Sequence, residues 1–265
     1  MKSNIKTAGV VGIIILVILT VTFYNQYATG GKEFRVATYN VSSLGEKAWD
    51  IGEFLSDEDV VVAGLQEADY NIDGNNKDMI KEISAAGNYK GHYYHSHIDS
   101  ENNVNGIGIV GKKKFKNPEG TALESGDNEG CSYIKAETKI NGRKVSVYNT
   151  YLSSEDKELR NHQMKDIIAA MDKDSNEYKI VFGDFNTDQS KKELKPFEDK
   201  GYKVANGYKD KWYNTYLLKD ENMKVNCIDN IIVSPNIDIV ECEMFENKEI
   251  GSDHAAFVAT LKATE

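Results

Sequence analysis

Proline and cysteine are scarce in this 265-residue sequence, with three of each, and tryptophan occurs twice. Three prolines, with 21 glycines at about average usage, leave no Pro/Gly-rich linker to divide the chain. Cys131, Cys227 and Cys242 are odd in number and too few for a disulfide framework. Cys227 and Cys242 flank Ser234-Pro235-Asn236, a turn sequence that predicts a hairpin and makes them the better-placed pair, but three independent buried thiols are the expectation. Positive charge is in deficit too: 32 Lys and Arg face 42 Asp and Glu, a formal net charge of -10. That balance excludes a basic nucleic-acid coat protein and opposes long-range steering of polyanions, although a local basic cleft or bound divalent cations can reverse the field at one site. With 40% hydrophobic and 28% charged residues, the composition is that of a folded domain able to bury a sizeable core.

No charge lies between Lys6 and Lys32, and Ala8 to Tyr24 is a nearly unbroken apolar run rich in Ile, Val and Leu. Its length is at the lower limit for a spanning helix, and it has no polar face to present as an amphipathic core helix would. A small-x-small cleavage site is poorly represented, since Gln26-Tyr27-Ala28 lacks the first small residue. The expectation is an uncleaved signal anchor over residues 1–31, with Lys2 and Lys6 inside and a domain of residues 32–265 outside; secretion after cleavage is the alternative. No acidic residue precedes Glu33, so the exported part is the more acidic.

From Phe34 onward β-like runs alternate with helical ones. Strands are expected at Arg35–Tyr39, Val60–Leu65, His92–His97, Ile107–Val110, Tyr133–Ile140, Lys144–Thr150, Lys179–Phe182, Lys211–Leu218, Asn226–Val233, Ile237–Met244 and Ala256–Leu261. Helices are expected at Lys47–Leu55, Asp78–Ala86, Glu155–Met171 and Lys191–Asp199. Asn141-Gly142 is a two-residue hairpin turn. Hairpins mixed with helical crossovers imply an α+β fold, a four-layer αββα sandwich with two mixed β-sheets packed face to face and helices outside.

Four polar clusters end apolar strands: Tyr39-Asn40, Gln66-Glu67, Gly183-Asp184-Phe185-Asn186 and Ser252-Asp253-His254. Any one alone is an ordinary turn former. Together an Asn, a Glu, an Asp-x-Asn and an Asp-His make a hard, oxygen-rich divalent-cation site with one imidazole beside it, which suits phosphate ester chemistry.

These motifs, with Gly64-Leu65-Gln66-Glu67, Asn105-Gly106-Ile107-Gly108, Tyr148-Asn149-Thr150-Tyr151-Leu152, Arg160 with Gln163, and Ile228-Asp229-Asn230-Ile231, resemble in order the endonuclease/exonuclease/phosphatase superfamily. Its members include pancreatic-type deoxyribonucleases, abasic-site nucleases, inositol polyphosphate phosphatases and bacterial sphingomyelinases, and its fold is the same sandwich. The resemblance implies that Glu67 is the principal Mg²⁺ ligand (Mn²⁺ being the substitute), with Asn40 and Asp253 in the metal-binding group. It implies that Asp184, with Asn186 beside it, orients and deprotonates the attacking water, and that His254, held by Asp229, contacts the scissile phosphate. Tyr151 stands where phosphatase and sphingomyelinase-like branches carry His and abasic-site nucleases carry Tyr; a phenol can donate to a phosphoryl oxygen but brings no positive charge. Asn230 and Val110-Gly111-Lys112 are further departures from the pattern.

Gly106-Ile107-Gly108-Ile109-Val110-Gly111 matches a dinucleotide fingerprint by letter, but a polar run precedes it and lysines follow, so it reads as a strand with small residues for close packing. Lys112-Lys113-Lys114 with Lys116 reads as solvated surface or as a contact for phosphate groups, and His92, His95 and His97 as strand residues before a zinc site. The expected function is an exported, Mg²⁺-dependent hydrolase of a phosphodiester, a nuclease in the first place. A phospholipid or sphingomyelin-type phosphodiesterase or a phosphatase, and a non-catalytic surface binding protein on the same scaffold, are the alternatives. The partners are then a nucleic acid or phospholipid and the membrane, with no protein partner indicated.

Overall fold

The computed structural model describes residues 31–69, 78–98, 104–126, 130–187, 190–218 and 226–264. The apolar run Ala8–Tyr24 lies outside them, and among the described residues no helix is long and apolar enough to cross a membrane.

Two βαβ units organise the chain. β1 (Phe34–Asn40) and β2 (Val60–Asp69) run parallel, joined by α1 (Ala48–Asp57). After α2 (Met79–Ala86) come β3 (Gly91–Ile98), β4 (Val104–Gly111), β5 (Lys116–Ala122) and β6 (Ser132–Ile140), and then the second unit, β7 (Arg143–Tyr151), α3 (Lys157–Lys173) and β8 (Tyr178–Asp184), again with parallel strands. Short helices α4 (Ser190–Glu193) and α5 (Lys195–Glu198) precede β9 (Lys203–Val204), β10 (Asp229–Val233), β11 (Ile237–Phe245) and β12 (Ala256–Ala263). The strands form two six-stranded mixed sheets, ordered β11-β12-β1-β2-β4-β3 and β5-β6-β7-β8-β10-β9.

Burial follows from this layering. β8 is buried at every position, as a central strand covered on both faces must be, whereas β6 alternates. Val36, Val62, Ile109, Val147, Phe182 and Phe257 fill the space between the sheets. Ile51, Leu55, Ile80 and Ile83 seal α1 and α2 onto the first sheet, and Met164, Ile167, Phe185 and Phe197 cover the second from outside. Three cores separate four layers, the αββα sandwich expected from the sequence. The Asp78 and Asp156 side chains accept hydrogen bonds from the Lys81 and Leu159 amides (3.0 and 2.9 Å), capping α2 and α3 where free N–H groups need an acceptor. The Asn141-Gly142 turn has positive φ at both residues (49° and 84°), the form that follows the strands' own twist.

Several local expectations are corrected. Cys227 and Cys242 do not flank a hairpin: β10 pairs with β8 and β9 in one sheet and β11 with β12 in the other, so Ser234-Pro235-Asn236 carries the chain between sheets. No disulfide joins the three cysteines. The helix expected over Lys191–Asp199 breaks into α4 and α5, with Pro196 in the first turn of the second, where its missing N–H costs nothing. In Lys211–Leu218 the expected strand reduces to one bridge, Tyr216 to His254. β5 was not expected: Lys116-Asn117-Pro118-Glu119-Gly120 is polar and punctuated, and pairs as an edge strand only because β6 lies beside it.

Candidate metal and phosphoester site

The parallel pairs β1–β2 and β7–β8 end on the same side of the sandwich, and β10 and β12, antiparallel to β8 and β1, begin there. Asn40 closes β1, Tyr151 and Asp184 close β7 and β8, Asp229 opens β10, and His254 lies two residues before β12. One rim therefore collects side chains from six strands, Glu67 near the end of β2 among them.

Glu67 reaches the site through a break in β2. The β2–β4 register shifts between Leu65 and Ala68, and Glu67 has φ of 50°. A bulge re-aims a side chain, and a left-handed conformation costs a non-glycine residue about 1–2 kcal/mol. Beneath it Asn149 of the opposite sheet donates to the Leu65 and Gly108 carbonyls, both at 2.8 Å, and accepts from Gln66 Nε2 at 2.6 Å. Gly64 permits this approach, since a Cβ there would stand 2.4 Å from Phe182 Cβ and 2.6 Å from Asn149 Oδ1.

Asn40 is the hub. Its Nδ2 donates to Glu67 Oε1 (2.7 Å) and Asp184 Oδ2 (3.0 Å), while its Oδ1 accepts from the Ser42 amide (3.0 Å). Asp184 also accepts from the Asn186 amide through Oδ1 (3.0 Å), and Asn186 Nδ2 is spent on the Leu152 carbonyl (2.8 Å). Asn186, at φ 48°, thus shapes the turn after β8. His254 Nδ1 lies 2.8 Å from Asp229 Oδ2, and its Nε2 3.8 Å from Asp184 Oδ2. Asp253 stands at the rim and accepts a hydrogen bond from the Ser42 hydroxyl, outside the tight group of Glu67, Asp184 and His254, whose ligand atoms lie within 4.8 Å of one another. Tyr151 is partly buried, across from Asp184 in the β7–β8 register.

The charges are strongly coupled. Burial and the Asp229 charge raise the Asp184 pKa to about 7 against the opposing pull of His254. Burial also raises Glu67. For His254 burial works downward, but Asp229 and Asp184 outweigh it and raise the imidazole to about 10. An imidazolium has no free lone pair to offer a metal, which leaves the carboxylates of this group as the ligand candidates. Two carboxylates crowded onto one amide fit a hard divalent cation: Glu67 and Asp184, with Asn40 between them, would hold it.

Other sequence candidates fall outside the rim. Asn230 faces away from His254 and is locked to Asn206, donating to its carbonyl and accepting from its amide, both at 2.9 Å. Its departure from the family pattern is therefore a packing matter. Arg160 and Gln163 hold the loop after β7, Arg160 through the Ser153 carbonyl (3.1 Å) and Gln163 by accepting from the Ser153 amide (3.0 Å). His92, His95 and His97 lie along β3, and among the described residues neither His92 nor His95 joins a ligand cluster. Sequence reasoning missed Tyr216, whose ring packs edge-on against His254 at 5.1 Å, and Ser42; Tyr216 falls within a segment read as an ordinary strand and Ser42 within a turn, so no motif marks either.

The fold and rim define a phosphoesterase of the sandwich type. The model of the Endonuclease/Exonuclease/phosphatase family matches residues 37–254, and the chain belongs to that family, whose members are divalent-metal-dependent hydrolases of phosphoester bonds. Similar solved structures include an endonuclease/exonuclease/phosphatase from Beutenbergia cavernae, at 18% identity and TM-score 0.70, covering 88% of this chain and 72% of that one. A mannosyl-6-phosphatase from Bacteroides thetaiotaomicron aligns at 18% identity and TM-score 0.62 over 86% of this chain and 99% of its own. D. rerio TDP2, complexed with single-strand DNA product, aligns at 14% identity and TM-score 0.66 over 88% of this chain and 100% of its own. No curated protein sequence matches the chain.

Proposed function

We propose that the chain is a membrane-tethered phosphodiesterase, dependent on Mg²⁺ or Mn²⁺, that hydrolyses a substrate arriving from the aqueous phase, nucleic acid foremost. The observation that carries this reading is the convergence of Glu67, Asp184 and Asn40 with the Asp229–His254 pair at one rim. A divalent cation bound by Glu67 and Asp184 would neutralise the non-bridging phosphate oxygens and the leaving alkoxide. Asp184, anchored by Asn40 and the Asn186 amide, is placed to orient a water and to accept its proton. His254, charged and fixed by Asp229, offers Nε2–H to a phosphoryl oxygen where negative charge grows.

The tether rests on the apolar run Ala8–Tyr24 flanked by Lys2 and Lys6. Phe34 begins β1 at the end of the sandwich opposite the rim, and the strand's seven residues set the two apart by about 20 Å. A rim turned away from the chain's point of entry favours soluble phosphodiesters over the lipids of the tethering membrane. The test is Mg²⁺-dependent cleavage of plasmid DNA by the detergent-solubilised chain beside Glu67→Ala and His254→Ala. Cleavage lost in both variants supports the reading. Inactive wild type on DNA and RNA, with hydrolysis of phospholipid vesicles, would replace nucleic acid by lipid; turnover of phosphomonoesters alone would make the chain a phosphatase, and no turnover on either ester class would leave a binding protein.

A further inference from the structure

At the end of the sandwich opposite the rim lies a cavity of about 540 Å³ with a cationic lining. Lys113 and Lys114 come from the β4–β5 connection, Lys116 from β5, and Lys139 and Lys144 from either side of the Asn141-Gly142 turn. All five are exposed. Glu137 is the acidic side chain in the lining, 3.9 Å from Lys144; among the described residues the other four lysines make no ion pair. Solvated lysines ordinarily spread apart, but here three segments bring five to one concavity on a chain of net charge -10. Such an arrangement calls for an anionic occupant.

The position of the N-terminal chain says which anion. At the tip of the same turn Asn141 Nδ2 donates to the Lys32 carbonyl at 2.6 Å, so the chain enters the domain at the mouth of the cavity, and exposed Lys32 adds to its charge. Gly31 is pressed to the Ala263 carbonyl, where a Cβ would stand 2.1 Å from the oxygen. Only residues 25–31 separate this point from Tyr24, the last of the apolar run, and even fully extended they reach about 25 Å. A bilayer holding the run keeps its headgroups within reach of the lysines.

We infer that the lysine-lined cavity docks on anionic phospholipid headgroups of the membrane that holds residues 8–24, fixing the domain upright with its catalytic rim turned to solvent. This rests on the tether proposed above. Each lysine brought to an anionic surface contributes a factor of about five in partitioning. Docking then adds orientation to a chain already tethered.

The test reconstitutes the full chain into vesicles of phosphatidylcholine alone and of phosphatidylcholine with phosphatidylglycerol, and follows amine acetylation of single lysines by mass spectrometry. Modification of Lys113, Lys116, Lys139 and Lys144 should slow at least fivefold on the phosphatidylglycerol vesicles, recover in high salt, and leave Lys165 and Lys200 unchanged. The variant Lys113→Glu/Lys116→Glu/Lys139→Glu should lose the slowing at Lys144 while remaining in the vesicles. Equal modification on both lipids overturns the docking. Protection of the detergent-solubilised chain by inorganic phosphate, with none on vesicles, also overturns it in favour of a free-phosphate site. The tether is judged separately: a chain washed off phosphatidylcholine vesicles by high salt has no anchor, and docking then stands or falls on whether it still binds phosphatidylglycerol vesicles in low salt and the reversed variant does not.

Discussion

His254 and Asp229 meet at 2.8 Å, both buried, Asp229 opening β10 in one sheet and His254 two residues ahead of β12 in the other. The Asp229 amide is held by Thr215 Oγ1 at 3.1 Å, while its second carboxylate oxygen has no hydrogen-bond partner among the described residues, so the imidazolium is the main balance for its charge. The pair ties the sheets together at the rim and sets the protonation of His254.

Removing that balance should act on the chemistry first. Asp229→Asn keeps the shape but no longer favours the imidazolium, and kcat should fall by roughly 10²–10⁴, the span that positioned proton transfer contributes. Asp184→Asn should cost at least as much. Steady-state kinetics with a soluble phosphodiester check both; a loss expressed in KM alone would mean that the pair serves binding and not proton transfer.

The same charges give the metal-free protein a pH dependence of definite sign. The folded His254 pKa, about 10, lies above the ordinary 6.5, so its stabilisation is complete below pH 6.5 and disappears as pH rises through 10. Asp184 is raised from 3.8 to about 7, so the unfolded chain loses this proton first and stability again falls as pH rises, between those values. Thermal unfolding in EDTA should therefore show Tm falling from pH 5 to pH 10, with Asp229→Asn flattening the alkaline part. A Tm that rises over that alkaline range would refute the charge assignment.

Divalent metal should reverse part of this. Mg²⁺ or Mn²⁺ at about a hundred times its Kd should stabilise the fold by about 2.7 kcal/mol, since only the native state assembles Glu67 with Asp184. Glu67→Gln should abolish that gain and yet raise the Tm of the metal-free protein, because it removes a carboxylate whose ionisation burial opposes. Calorimetry with and without metal distinguishes the two effects.

The rim was legible in the sequence because each of its side chains sits at the boundary of an apolar run: Asn40, Asp184 and His254 are polar residues where a buried strand stops or starts. The layers followed from the same alternation. What sequence could not supply is pairing. Asn226–Val233 and Ile237–Met244 read as a hairpin, yet they belong to different sheets, because long-range partners β8 and β12 outbid the short connection. β5 has the composition of a loop and becomes a strand through β6 alone. Tyr216 reaches His254 by a single bridge, which no periodicity announces.

Asn149 shows the difference between a motif and its cause. Its motif was visible, but the burden it carries is structural: three hydrogen bonds from one fully buried amide join Leu65, Gln66 and Gly108 of the first sheet to β7 of the second, directly under the bulge that presents Glu67. Asn149→Ala would take these bonds from the Leu65 and Gly108 carbonyls and from one N–H of Gln66, whose Nε2 keeps Thr38 Oγ1 at 3.0 Å, and each group left unsatisfied in this dry layer costs about 1–3 kcal/mol. Part of that loss is recovered as neighbours shift, so a net destabilisation of about 2–4 kcal/mol is expected, read as a lower urea midpoint at unchanged slope. Metal affinity should weaken with it, because the bulge that aims Glu67 loses its support. Asn149→Asp keeps the acceptor but turns a carboxylate onto the Leu65 and Gly108 carbonyls, and should be the more damaging of the two. Equal stability in all three proteins would show that the bulge holds its shape without the inter-sheet amide.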